Sequence, residues 1–256
     1  LDGGADPNIA AEGMDLTAMG RLDAEANRRQ ADVISAFTNE GEWQPTSSQV
    51  QAAVRAGRTA YETDAPEPRK ARMNSRFQRQ VRITSKGGLT PLLHAARQGH
   101  LEAMEALLDR GAEIDRVGGG DGTTPLLMAT INGQFDAAMS LLQRGADPNA
   151  RSTLNGATPL FATINSEWQP RTRYPQPQER SAQQVGYLDV LEGLLEAGAD
   201  PDTRMTMHPW YMEYTGCGNG NCGLIDTNGA TPFLRASYAT DVAAMALLKM
   251  WGADPS

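Results

Sequence analysis

The chain has 256 residues and a formal charge of −8, with 21% charged, 40% hydrophobic and 6% aromatic residues. That length suffices for one elongated array with additions, and the acidic balance argues against a dedicated nucleic-acid binder. No stretch reaches the roughly 18 apolar residues of a membrane span.

The first recognisable element is Gly4-Ala5-Asp6-Pro7-Asn8, which matches turns found further along and reads as the end of a preceding repeat, residues 1–8. Residues 9–86 follow as a helical insertion. Within it, Asp15 to Phe37 predicts a helix, with Leu16, Met19, Leu22, Val33, Ile34 and Phe37 as a partial apolar stripe. Ser47 or Ser48 is the expected cap of a second helix running to about Tyr61. After Ala65-Pro66-Glu67-Pro68 comes a basic arm, residues 69–86, carrying Arg69, Lys70, Arg72, Arg76, Arg79, Arg82 and Lys86. Such runs carry a high false-positive risk as motifs. Three readings stand: an arm folded on the protein's own acidic surface, a docking arm for an acidic protein, or a site for nucleic acid or anionic membrane. Phe77, Val81 and Ile83 lie among the arginines and imply that the run packs against something. Glu42-Trp43-Gln44-Pro45 recurs as Glu167-Trp168-Gln169-Pro170, so residues 31–61 read as a degenerate repeat without its Thr-Pro start, with Val50–Ala56 as its second helix.

From Gly88 onward one pattern recurs in Gly88–Asp115, Gly122–Asn149, Gly156–Asp202 and Gly229–Pro255, giving repeat units 88–121, 122–155, 156–202 and 229–256. Thr90 to Gly111, Thr124 to Gly145 and Thr231 to Gly252 each span 21 residues, and the connectors Gly111 to Thr124 and Gly145 to Thr158 each span 13. The threonines can cap a first helix, the following Pro suits the first helical position, and Gly99 and Gly133 can end it in a left-handed conformation. A second helix carries Leu101, Met104, Leu107 and Leu108, then Phe135, Met139, Leu141 and Leu142, then Leu188, Leu191, Leu194 and Leu195. One such pair cannot bury its own apolar face, so neighbours must stack. The count breaks three times: Gly4 to Thr90 exceeds the expected connector by 73 residues, Thr158 to Gly198 exceeds 21 by 19, and Gly198 to Thr231 exceeds 13 by 20.

The last two excesses are insertions with characters of their own. Residues 166–185 hold Pro170, Pro175 and Pro177 with Trp168 and Tyr174, which suggests an extended loop whose aromatics either anchor a partner or peg the loop to its own domain. Residues 203–228, a finger insertion, hold His208, Trp210, Tyr211 and Tyr214, then Cys217-Gly-Asn-Gly-Asn-Cys222. The Gly-Asn core favours a tight turn between strands. A disulfide between Cys217 and Cys222 is the favoured use of the pair and would argue for export. A zinc site is weaker, because only His208 is near and zinc sites usually offer four ligands. Two reduced thiols are the third case.

Gly-x-Thr-Pro-Leu at residues 88–92, then Gly-His-Leu at 99–101, and Leu-Leu-x-x-Gly-Ala-Asp-x-Asn at 141–149 together resemble the ankyrin repeat family. The resemblance implies a mostly α solenoid of stacked helix pairs with β-turn fingers and a surface for holding another protein. The family usually has His two residues after Thr-Pro. Here Leu93, Leu127, Phe161 and Leu234 stand there, and His94 falls on the next position. The stretch Ala199–Met205 followed by Gly229-Ala-Thr-Pro-Phe-Leu-Arg-Ala-Ser resembles a bacterial subgroup with a long insertion before its last repeat, many members of which are exported. A periplasmic or extracellular location is therefore expected, with the cytoplasm as the alternative. Three lysines against 20 arginines also fit a GC-rich bacterial genome. Both ends of the chain read as cuts through a longer protein.

No P-loop, Gly-x-Gly-x-x-Gly, His-Glu-x-x-His or Gly-x-Ser-x-Gly pattern occurs, and no catalytic, cofactor or metal residue is expected. His100 occupies a position where the family often has His or Asn and is read as structural. The expected function is a non-enzymatic interaction or scaffold subunit, possible as a member of a larger complex or homo-oligomer. Its partner-binding residues are His94, Arg97, Arg116, Val117, Met128, Ile131, Arg235 and Tyr238, extended by Trp168, Tyr174, Trp210, Tyr211 and Tyr214. The alternatives are an accessory or targeting domain of a larger enzyme or electron-transfer protein, and a structural subunit of a homo-oligomer or filament.

Overall fold

The computed structural model describes residues 3–37, 44–63, 85–168, 183–206 and 228–255. They divide into two compact units, one of residues 1–13 and 76–256, the other Met14–Ser75. Among the described residues the strands are the three-residue Gly13–Asp15 and Ser85–Gly87, and all other regular structure is helical.

The smaller unit is a helical hairpin. Helix α1 (Leu16–Phe37) packs against α2 (Ser47–Arg58), which continues into a 3₁₀ turn, Thr59–Glu62. Asp15 starts α1 by accepting the backbone N–H groups of Thr17 and Ala18 at 2.8 and 2.9 Å. The cap of α2 is Thr46, one residue before the expected serines. Gln49 completes a capping box by accepting the Thr46 N–H at 2.8 Å. Ala26, Ala53 and Ala60 form the buried contact, and Gly57 leaves room for the side chain of Gln30. Arg29 donates to the Thr59 hydroxyl at 2.8 Å and Tyr61 to Asp23 at 2.5 Å. The degenerate-repeat reading of residues 31–61 meets a difference here. Residues 31–37 are the end of one 22-residue helix, whereas the repeats of the larger unit use helices of seven to ten residues. No Gly or Pro separates Ala31 from the preceding turns, so nothing stops the helix from running through.

The larger unit is the solenoid. Its pairs are α3 (Pro91–Gln98) with α4 (Leu101–Leu108), α5 (Pro125–Ile131) with α6 (Phe135–Gln143), α7 (Pro159–Trp168) with α8 (Tyr187–Glu196), and α9 (Pro232–Tyr238) with α10 (Val242–Met250). The hydroxyls of Thr90, Thr124, Thr158 and Thr231 each accept the N–H three residues on, at 3.1 to 3.3 Å. Gly99 and Gly133 are left-handed at φ 68° and end α3 and α5. In the third repeat Glu167 stands at that position. With no glycine to end it, α7 runs on through Trp168, so Ser166 to Trp168 are helical and not part of a loop. In the fourth repeat Thr240 holds the position at φ 55°.

Leu92, Leu126 and Leu160 of the first helices meet Met104, Leu141, Leu191, Leu194 and Leu248 of the second in one continuous core, each at most 1% exposed. Full burial of each such side chain is worth about 1.5–3 kcal/mol. Successive turns are joined by a single repeated contact. The side-chain oxygens of Asn8, Asp115, Asn149 and Asp202 accept the backbone N–H of Glu113, Asp147, Asp200 and Asp254 at 2.7, 3.0, 2.8 and 2.8 Å. The Asn8 and Asn149 amides also donate to the carbonyls of Gly111 and Gly198, at 3.0 and 2.8 Å. On the helices' outer side, Glu105 accepts from the Ser140 hydroxyl and from Arg144, which also pairs with Asp109 at 2.7 Å. Gly88, at φ 65°, lets its finger backbone approach that of Gly119 so closely that a Cβ would lie 2.5 Å from the Gly119 nitrogen. Gly119 faces the same approach, since a Cβ there would lie 3.2 Å from the Gly88 Cα.

Candidate interaction surface

The inner-helix residues proposed to meet a partner occupy two register positions, four and seven residues after the capping threonine. At the first, His94 is exposed, Met128 half-buried, and Ala162 and Arg235 are buried. At the second, Arg97 and Ile131 are half-buried, Asn165 is buried and Tyr238 is 37% exposed. The surface is therefore open over the first two repeats and largely closed over the third and fourth. Arg97 contributes a buried Nε with no hydrogen-bond partner among the described residues. At the finger tips, Val117 is 53% exposed, and Arg116 is exposed with an ion pair to Glu113 at 3.1 Å. Exposed pairs of this kind contribute little to stability.

Arg235 is a correction. It is 3% exposed, and its Nε donates to the Asn165 side-chain oxygen at 2.8 Å. Burial lowers its pKa from the ordinary arginine value, with Tyr238 and Asp241 opposing that shift. An arginine so enclosed joins the third repeat to the fourth and is not presented to a partner. Position in the repeat gave it the same standing as His94. Its burial depends on neighbouring helices that position alone does not describe.

Next to Arg235 lies a polar junction absent from the sequence expectations. Asp241, 5% exposed, accepts the Ala244 N–H at 3.0 Å as the N-cap of α10 and the Trp168 indole N–H at 2.8 Å. The Tyr187 hydroxyl is hydrogen-bonded to the same carboxylate. Tyr187 is raised well above the usual phenol value, first by burial and then by this bond. Trp168 ends α7 and Tyr187 begins α8, so both stems of the third repeat's insertion converge on one carboxylate of the fourth. The C-terminal stem has a second anchor. The backbone N–H groups of Gln184 and Val185 donate to Asp136 at 3.0 and 2.8 Å, and Gln183 accepts the Asp136 N–H at 3.0 Å. Of the two roles open to Trp168, its N–H serves as a peg, while the residue stays 45% exposed. One signal was available. Asp241 stands immediately before an apolar helix, where His100, Gln134 and Gly186 stand in the other repeats, and Asp is among the best N-caps. His100 itself is exposed at the N-terminus of α4 and makes no capping bond with its side chain.

Tyr174, His208, Trp210, Tyr211, Tyr214, Cys217 and Cys222 lie outside the described residues, as does most of the basic arm. Among the described residues no group of three or more His, Cys, Asp or Glu is placed to hold a metal ion. No helix there is long and apolar enough to cross a membrane.

Short helix pairs stacked through identical turns, with hairpin fingers between them, define a helical repeat solenoid. The family model of ankyrin repeats, in three copies, matches residues 74–152, so that part of the chain carries ankyrin repeats. No curated protein matches the chain. Ankyrin repeats generally mediate contacts between proteins.

Proposed function

We propose that this protein is a non-enzymatic interaction subunit that holds a protein partner on the open half of its inner surface. His94, Arg97, Met128 and Ile131 form the floor, and Arg116 and Val117 the finger-tip edge. Tyr174, Trp210, Tyr211 and Tyr214 are proposed as further contact residues on the strength of the sequence. The observation that supports this reading is the graded burial along one register position, from exposed His94 through Met128 to buried Arg235. The first two repeats leave side chains free for contact on a frame already ordered, which limits the entropy lost on binding. A photo-crosslinking residue placed at His94 or Val117 in the native host should capture a discrete partner, while the same residue at Glu102 on the outer helix should not. Equal capture at all three positions would sink the proposal.

We further propose that the protein is bacterial and exported, with Cys217 and Cys222 joined. The support is the arginine-rich composition and the short ring the pair would close. A non-reducing peptide map that recovers both cysteines as free thiols would overturn the pairing.

A second reading has its own observation. Leu234 is 44% exposed, whereas its register equivalents Leu93, Leu127 and Phe161 are at most 1% exposed, and Val242 on the same repeat is 75% exposed. These residues favour a structural subunit of a homo-oligomer. A monomeric mass by light scattering at high protein concentration would exclude it.

A further inference from the structure

Every finger of the solenoid is closed by the same backbone hydrogen bond. The donor is the residue seven positions after the turn glycine, and the acceptor is the carbonyl just before the capping threonine. The four bonds run from Gly118 to Thr123, Ser152 to Ala157, Ala11 to Leu89 and Met205 to Ala230, at 2.9, 2.9, 3.0 and 2.9 Å. In the first two of these fingers the bond encloses four residues, 119–122 and 153–156. In the other two it encloses residues 12–88 and 206–229, which are 77 and 24 residues long. Subtracting the ordinary four gives 73 and 20, the same two excesses that the spacing of Gly and Thr markers yields.

Two further contacts keep register across these long fingers. The turn of Asn8 meets Gly111 and Glu113 with the same pair of bonds by which Asn149 meets Gly198 and Asp200. The fingers are also joined in order, by Gly119 donating to Gly88, Thr153 to Asp121 and Thr206 to Asn155, at 3.3, 2.7 and 2.8 Å. The base of the last finger has a reciprocal bond as well. Gly229 donates to Met205 at 2.8 Å, as Gly156 does to Ser152 at 2.9 Å in a finger of ordinary length.

We propose that both long insertions are excursions from the tips of otherwise complete fingers, and that residues 3–11 are the tail of a repeat stacked directly on the first. The solenoid closes below each excursion, so the body of each is dispensable for its folding; the root of the first, Ser85–Gly88, touches the next finger, with the Ser85 hydroxyl donating to the Gly120 carbonyl at 2.8 Å. Each is a detachable module that leaves the array on its finger edge, and the two exit points flank the fingers that carry Val117 and Thr153. Extra chain at such a point costs little, because loop-closure entropy grows only with the logarithm of length. This proposal concerns the scaffold and is independent of which surface holds a partner.

The test is excision. Residues 12–88, residues 206–229, or both are replaced by a copy of residues 153–156, the four that span an ordinary finger. The proposal expects a folded, monodisperse chain with one cooperative solenoid transition and a midpoint within about 4 °C of the parent. Loss of folding, or a midpoint more than about 10 °C lower, would show that the segments belong to the core. A second measurement needs no variant. By hydrogen exchange in the intact chain, the amides of Ala11 and Met205 should be protected to within tenfold of those of Gly118 and Ser152. Exchange a hundredfold faster at either amide would mean that finger is open at its base and would overturn the proposal there.

Discussion

The indole N–H of Trp168 donates to the Asp241 carboxylate at 2.8 Å, joining the last residue of one repeat's first helix to the cap of the next repeat's second helix. The same carboxylate serves Ala244 and Tyr187. Asp241→Ala should therefore cost about 2–4 kcal/mol, combining a lost cap with two stranded donors. Trp168→Phe, which removes a single partly exposed donor, should cost about 1 kcal/mol. Urea unfolding measures both, and equal losses would show that the cap and Tyr187 contribute nothing.

Arg235 and His94 share a register position but not an environment. Arg235→Ala should destabilise by about 2–4 kcal/mol, because it empties a packed site and leaves buried Asn165 without its donor. His94→Ala, at an exposed site, should change stability by less than about 0.5 kcal/mol. If thermal melts of the two variants coincide, the buried junction is not what ties the last two repeats together.

How much of this was legible in the sequence follows from the range of the forces involved. Thr90 and Gly99 act on their own helix, within a few residues, and their spacing predicted the pairs and their ends. Where Gly gives way to Glu167, helix α7 ran on past its expected limit, and a substitution at a marker was the visible reason. Ala31 carried no such marker, and the long α1 took residues 31–37 into one helix. Arg235 was misread because a repeat position says which way a side chain leaves its helix, not what stands in front of it. The Asp241 junction needs three residues from three helices, up to 73 positions apart, and no local pattern announces it.

Tyr187 gives a pH signature. Its phenol is raised above the ordinary value of 10.0 by burial and by Asp241. In the unfolded chain it ionises near that ordinary value, while in the folded chain it stays protonated. The unfolded state then binds fewer protons, and stability falls as pH rises above 10. Below that value the contribution is complete. Tyr187→Phe should flatten this alkaline decline, and a phenolate absorbance titration of the folded protein should show one tyrosine late to ionise. A parallel decline in both proteins would refute the assignment.

Thr240 holds a left-handed backbone, φ 55°, at the place where the first two repeats have glycine. A β-branched residue there is strained by roughly 1–2 kcal/mol, and glycine returns part of that gain through greater freedom in the unfolded chain. Thr240→Gly should stabilise by about 0.5–1 kcal/mol. Gly133→Ala should do the reverse by about 1 kcal/mol, with chemical denaturation reading both signs.

The turn contact made by Asn8, Asp115, Asn149 and Asp202 is a side-chain oxygen meeting a main-chain N–H. What it recognises is a backbone group common to every step, whatever residue stands there. A whole unit gained or lost in evolution would thus meet its neighbours through contacts already in use. Array length can then change in whole-unit quanta while the turn contacts of each unit keep their places.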